Sequence, residues 1–488
     1  MSEPDPPDTE ADEPLWGGRF DTAPAPGAAA LSRSLSVDVR LAPQDVESSV
    51  AHTRALEDAG VISSGEAAAL EKALREVGEE IAGGRFTFHR SDEDVHSAIE
   101  RGVTERLGDV GAKLHAGRSR NDLVVTDLRM WLLAAARRID AQTVRLMRAL
   151  ITSAIAHADA VMPGTTHGRA AQPVTLGHHL LAHAWALLRD LDRLDQWAAR
   201  SSVSALGAGA LATSTLGLDH EATAARLGLG RSFANSIDAI SDRDFVQEFL
   251  ADAAILGTHL SRLAADLLRW TDESLGWASI DDAYATGSSM MPQKRNPDVA
   301  ELARAKAGRL TGNVVALTSL LAGLPLGYHR DLQEDKGPAF DAADTLEASL
   351  GGLAGCVETL RFHVDAMREA AEAEGLYATD LAEELVRAGV PFRQAHRRIG
   401  EVLKRLDAER RSLRSLEPDE WRDLGLPDGA SLLDPDRSVR ARSMQGGPSP
   451  ASVLAQARAI EAALASGNHD ASISASLGGN EAVSRIRP

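Results

Sequence analysis

Residues 287–297, GSSMMPQKRNP, gather two serines, two cations and an Asn-Pro pair in a chain otherwise built from long apolar-periodic segments. Four more polar segments interrupt that pattern: SDEDVHSAIE (91–100), LHAGRSRND (114–122), PGTTHGRAAQP (163–173) and GYHRDLQEDKG (327–337). Together they are rich in Arg, Lys, Asn, Ser and Thr, with one or two histidines, which suits a substrate bearing carboxylates. Abstracting a proton beside a carboxylate builds a second negative charge on that group, so cations and N–H donors must stand where the charge develops. Lys294, Asn296 and the helix N-terminus announced by Asn-Pro-Asp can supply them.

Each segment also has a plainer reading when taken alone. Asn296 reads as a helix N-cap with Pro297 at the first helical position, Asp92 as an N-cap, and His96 as a helix-surface histidine. Arg118, Arg120 and Asp122 read as a solvated charge cluster with Asn121 as N-cap. His167 reads as a loop residue bonded to a carbonyl, Glu301 as a partner for Arg304 one turn on, and His178 and His179 as packed or interfacial residues rather than ligands. Other chemistries fit poorly. LGAGALATS (206–214) imitates a dinucleotide fingerprint but lacks a preceding strand; metal-ligand spacing is not found; and Ser288 and Ser289 lack a G-x-S-x-G setting.

The elements that must position these segments are helices. No Gly or Pro occurs from Arg118 to Met162, and Leu128, Trp131, Leu132, Ala135, Ile139, Leu146, Leu150 and Ile151 recur at helical spacing. Such a helix would run on the order of 60 Å. Further long helices are expected near 174–200, 236–276, 298–322 and 338–374, with shorter ones near 43–59, 64–82, 378–389, 393–407 and 450–466. Five long helices in sequence predict an all-α bundle. Helices longer than a compact domain needs, with apolar residues on more than one face, predict homo-oligomerisation.

Composition agrees with that architecture. The chain has 488 residues, 4% of them aromatic, so helices packed through small side chains are expected. A formal net charge of −19 argues against nucleic-acid or anionic-membrane binding. A single cysteine, Cys356, excludes an intrachain disulfide and any zinc site built on several cysteines; no apolar run reaches membrane-spanning length, and a cytoplasmic location is expected. The expected division is an acidic disordered lead-in (1–14), an N-terminal helical domain (15–117), the bundle (118–374), a C-terminal helical domain (375–466) and a disordered tail (467–488).

GSSMMPQKRNPD (287–298) resembles the signature loop of the fumarase, aspartase and argininosuccinate lyase superfamily. LWGGRF (15–20), SLSVDVR (34–40), EDVHSAIE (93–100), HAGRSRND (115–122), SDRD (241–244) and YHRDLQEDK (328–336) resemble the argininosuccinate lyase family in particular. The likeness implies three-domain, all-α subunits whose five-helix bundles form a twenty-helix core in a homotetramer, with each site drawn from three subunits. It implies cleavage of argininosuccinate to arginine and fumarate without metal or organic cofactor.

Carried over residue by residue, the likeness makes Ser288 the base that removes the Cβ proton and His167 the acid that protonates the departing nitrogen. Glu301 would orient His167, and Lys294 would stabilise the carboxylate charge. Ser34, Arg120, Asn121, Thr166, Asn296, Tyr328, Gln333 and Lys336 would contact substrate. One departure falls beside His167: the family usually reads Tyr-Thr-His-Leu-Gln-Arg-Ala-Gln-Pro, whereas residues 165–173 read TTHGRAAQP. Gly168 is expected to loosen the backbone there. The alternatives are another fumarate-releasing lyase, or a non-catalytic structural tetramer.

Overall fold

The computed structural model describes residues 25–466. The lead-in, the LWGGRF stretch and the tail from residue 467 lie outside the described residues. Helices dominate, and among the described residues the strands form only two-stranded pairings. The fold is all-α. No helix among the described residues is long and apolar enough to cross a membrane.

Three shorter helices, α1 (Ala42–Asp58), α2 (Ser64–Ala82) and α3 (Val95–Leu107), precede the bundle. The first bundle helix, α4 (Arg120–Ala156), is 37 residues long. It stops short of the expected end because Val161–Thr166 (β1) turns back on Arg169–Thr175 (β2) as an antiparallel hairpin. This hairpin was not foreseen: its Val, Thr and Met residues fit a helical period as well as a strand, and only pairing with β2 decides between them.

The chain returns along α5 (Leu176–Ser201), then α6 (Asp244–Trp270), α7 (Asp298–Leu321) and α8 (Lys336–Thr359). The stretch expected as one helix over 236–276 breaks at Asp242–Arg243, where Arg243 has φ −132° and buries its guanidinium against Asp335. The expected 338–374 helix ends at Thr359 because Arg361–Phe362 pairs with Ala278–Ser279. Helix α7 begins at Asp298 with Pro297 as its N-cap, one residue later than the Asn-Pro signal suggests.

Side-chain bonds fix how the helices run. Gln247 donates to Thr318 at 3.0 Å, joining the start of α6 to the end of α7, so these two are antiparallel. Arg138–Glu347 and Arg145–Glu358 join the middle and later part of α4 to the same portions of α8, so these two are parallel. One end of the bundle therefore carries the starts of α4, α6 and α8; the other carries the hairpin and the starts of α5 and α7.

Beyond the bundle, α9 (Ala378–Arg387), α10 (Phe392–Glu409) and the short helices and turns up to Val439 pack around a second core that includes Leu381, Leu385, Ile399, Leu406 and Trp421 and that Val161 of β1 also enters. The last helix, α11 (Pro450–Ser466), instead inserts Val453, Ala457 and Ile460 into the main core against α4 and α5.

Candidate active site

The start of α4 is capped by Ser119, not Asn121: its Oγ accepts the Asn121 N–H at 3.2 Å, while Asp122 accepts the Ser119 N–H at 3.0 Å. The charges around it are not a solvated cluster. Asp122 is buried and also accepts the Gly207 and Gly209 N–H groups at 3.0 and 2.8 Å, which gives the glycines of the 206–214 loop a structural task. Burial, outweighing these bonds, raises its carboxyl to about 6. Arg118 is buried on Ser49 at 2.8 Å, and Arg120 forms an ion pair with Asp94.

Asp94, rather than Asp92, is the N-cap of α3, accepting the Ser97 N–H at 2.7 Å. Although burial opposes ionisation, the Arg120 guanidinium and His96 hold the Asp94 carboxyl below its ordinary value. His96 is not a surface residue; it is 4% exposed, with Nδ1 at 2.6 Å from Asp45 and 3.6 Å from Asp127. Burial works against a charged imidazole, yet Asp45 and its neighbouring carboxylates raise His96 above its ordinary value. This Asp45–His96–Asp127 group lies behind Asp94. Its partners come from three separate helices, so the sequence around His96 alone gave no sign of it.

The same end collects other predicted residues. Ser34 is buried, its N–H donating to the Glu93 carbonyl at 2.9 Å and its hydroxyl to Asp38 at 2.5 Å. Gln333 donates to the Ser32 carbonyl at 3.1 Å, and Arg330 pairs with Glu93. Lys336 is 3% exposed and donates to Asp335 at 2.9 Å. Tyr328 packs half-buried against the main core, and Asn121 donates to the Ala210 carbonyl at 3.2 Å. Ser34, Arg120, Asn121, Tyr328, Gln333 and Lys336 thus share one end of the bundle. Asp94, Glu93 and Asp335 were missed as the carboxylates that hold the cations; DED in 92–94 and QEDK in 333–336 were the available signals.

The remaining residues lie at the opposite end. The hairpin closes through His167 and Gly168, with φ of 53° and 69°. Two positive values between the paired residues Thr166 and Arg169 define a two-residue type I′ turn. Gly168 supplies the left-handed backbone that this turn requires, and no carbonyl bond restrains the exposed His167 ring among the described residues. Arg269, in the last turn of α6, reaches Thr165 at 3.4 Å.

The 287–297 loop is a second small hairpin, Thr286–Gly287 (β3) against Arg295–Asn296 (β4). Between the strands the chain folds so that Ser288 Oγ accepts the backbone N–H of Met290 at 3.3 Å and of Met291 at 3.1 Å. Two donors on one hydroxyl oxygen favour its alkoxide form. Lys294 is exposed and, among the described residues, has no ion pair, whereas Arg295 is bonded to the Ile280 carbonyl at 2.8 Å and to Asp282. Asn296 immediately precedes the N-terminus of α7, and Glu301 lies exposed in its first turn without the expected bond to Arg304.

Comparison with known proteins fits this constellation. A family described as Lyase matches residues 18–312, more than half of the chain, and one described as Argininosuccinate lyase C-terminal matches 375–440. The fold is thus that of a fumarase-type lyase. A solved EDDS lyase in complex with formate shares 28% identity at a TM-score of 0.79, covering 92% of this chain and 90% of its own. A class II fumarase from Schistosoma mansoni shares the fold at 15% identity and a TM-score of 0.71, over 86% of this chain and 93% of its own. Argininosuccinate lyase from Frankia casuarinae is 50% identical, covering 92% of this chain and 98% of that relative; the enzyme from Mycobacteroides abscessus is 49% identical, covering 92% and 96%. The chain belongs to the argininosuccinate lyase family.

Proposed function

We propose that the protein cleaves L-argininosuccinate by β-elimination to L-arginine and fumarate, acting as a carbon–nitrogen lyase in arginine biosynthesis. The observation that carries the chemistry is the Ser288 hydroxyl, whose oxygen takes two backbone N–H bonds in a loop that also carries Lys294. As an alkoxide, Ser288 removes the Cβ proton. The electron pair moves onto the neighbouring carboxylate, where Lys294, Asn296 and the α7 N-terminus meet the second negative charge.

The carbon–nitrogen bond then breaks, its electrons pass to the guanidino nitrogen, and that nitrogen takes a proton from His167. Glu301 orients the imidazole. Ser34, Arg120, Asn121, Thr166, Tyr328, Gln333 and Lys336 bind the substrate's carboxylates and amine; neutral donors such as Asn121 and Thr166 orient without over-tightening fumarate. Side chains and backbone donors are assigned the whole elimination, without metal or organic cofactor.

These roles imply a homotetramer whose sites draw on three subunits. Support comes from the geometry: Arg120 and His167 are assigned to one substrate, yet α4 alone, with 37 residues, spans about 55 Å between their ends of the bundle. A copy running antiparallel brings the two ends together. The three-domain division at 15–117, 118–374 and 375–466 is likewise our proposal; the second core supports it as far as Val439, whereas α11 packs back into the bundle core.

The direct test is fumarate absorbance during incubation with argininosuccinate, malate, aspartate or adenylosuccinate. Release from argininosuccinate alone is expected. Release only from one of the others would overturn the assignment, and no release from any of the four would favour the structural tetramer.

A further inference from the structure

Outside the residues assigned to catalysis, two groups of side chains converge without a task, and one of them, unlike the buried Asp45–His96–Asp127 group, is partly exposed. His179 and His183 stand one turn apart on α5 and both direct Nε2 at the same oxygen, Oδ2 of Asp266 on α6, at 2.8 and 2.9 Å. The sequence shows no metal-ligand motif here, and His179 reads from it as a packed or interfacial residue. The i, i+4 histidine pair was present, but its third member lies 83 residues beyond His183 and only the α5–α6 contact supplies it.

We propose that His179, His183 and Asp266 form a binding site for a divalent transition-metal ion of the zinc or cobalt class, clamping α5 to α6 beneath the catalytic hairpin. Two imidazoles and one carboxylate are a donor set of that borderline class, and three protein ligands leave a position for water. All three donor atoms lie within 4.8 Å of one another. Around a tetrahedral ion with bonds of about 2.0–2.1 Å, ligand atoms stand roughly 3.3 Å apart, so the two hydrogen bonds need to open by only about half an ångström.

The frame for that geometry is already rigid. Leu180, Leu181 and Ala184 on α5 and Leu263, Ala264 and Leu267 on α6 are buried in the main core around the site. The Trp270 ring meets His179 edge-on at 5.1 Å and fixes its plane. Access is retained, because the His179, His183 and Asp266 side chains are 29%, 13% and 29% exposed.

To hold the ion, each ring carries its proton on Nδ1 and turns the Nε2 lone pair to the metal, and the Asp266 oxygen that faces both rings becomes the carboxylate ligand.

The site borders the hairpin directly. Arg269, in the turn after Asp266, bonds Thr165 two residues before His167. An ion joining α5 and α6 there stiffens the platform from which the hairpin projects, so thermal stability should rise on binding.

The test titrates Co²⁺ and Zn²⁺ into the full, chelator-stripped protein, following calorimetric stoichiometry, the Co²⁺ visible spectrum and Tm. One ion per chain, a visible band typical of low coordination number and a raised Tm are expected. Asp266→Asn and His183→Phe should each weaken binding by roughly 10-fold or more, whereas His178→Asn should leave it unchanged. If His183→Phe impairs folding, the near-isosteric Asp266→Asn decides. Absence of saturable binding, or binding unchanged in Asp266→Asn, would overturn the proposal.

Discussion

Arg120 and His167 flank one unbroken helix: Arg120 opens its first turn, and His167 sits on the hairpin that follows its last residue, Ala156. The helix is stiff, and nothing among the described residues folds one end back onto the other. A substrate small enough to be held by both residues must therefore be held by more than one chain. In the assembly proposed above, each end of the long bundle carries half of a site and unlike halves meet.

Ser288→Ala removes the oxygen that Met290 and Met291 N–H groups hold. Turnover should fall by about 10²–10⁴-fold, the range for loss of a general base, with oligomeric state and Tm unchanged because the loop is largely exposed. Single-turnover fumarate release and size-exclusion chromatography check this. Activity near the parent's would remove Ser288 from its role.

Gly168→Ala probes the type I′ turn. With φ at 69° and no atom within 4 Å of an added Cβ, the variant meets backbone strain alone, of about 1 kcal/mol. Misplacement of His167 should lower kcat by roughly 10-fold or more. Gly168→Asn, which tolerates left-handed backbone, should retain most activity. Equal kcat in the Ala variant and the parent would show that the turn does not set His167.

His52 supplies a pH dependence. It is 3% exposed, bonded through Nε2 to the Ala116 carbonyl at 3.0 Å, and pushed down to about 3 by burial and by the Arg118 charge. The unfolded chain protonates this imidazole near pH 6.5 while the folded chain keeps it neutral. Stability is therefore fully present above about 6.5 and declines as pH falls toward 3, by about 2 kcal/mol at pH 5. His96, shifted upward, contributes with the opposite sign. His52→Gln keeps a donor for Ala116 but does not titrate, so urea denaturation at fixed protein concentration should show a flatter profile between pH 5 and 6.5. A profile parallel to the parent's would contradict the assignment.

The bundle was readable because its signals are local: apolar periodicity through α4 to α8, and Gly, Pro or Asn at the boundaries, placed most ends within a few residues. What failed depends on distant partners. Residues 161–166 form a strand only because 169–175 pairs with them, and the helix expected over 236–276 breaks because Arg243 must reach Asp335. The polar segments were found because charge and Asn-Pro interrupt the apolar pattern. Their distribution between the two bundle ends depends on helix direction and packing, which no single segment records. His96 was misread, and the Asp266 that faces His179 and His183 was missed, for the same reason: a histidine's neighbours in the chain do not disclose the carboxylate facing it across a helix contact.

The most direct measurement mixes two inactive variants, Arg120→Met and His167→Asn, altered at opposite ends. If each site takes Arg120 from one chain and His167 from another, unfolding and refolding the variants together restores roughly a quarter of parental fumarate release from argininosuccinate, because random assembly rebuilds that share of sites. Neither variant refolded alone should recover activity. Mixed assemblies that form yet stay as inactive as the separate variants would show that Arg120 and His167 do not meet across chains.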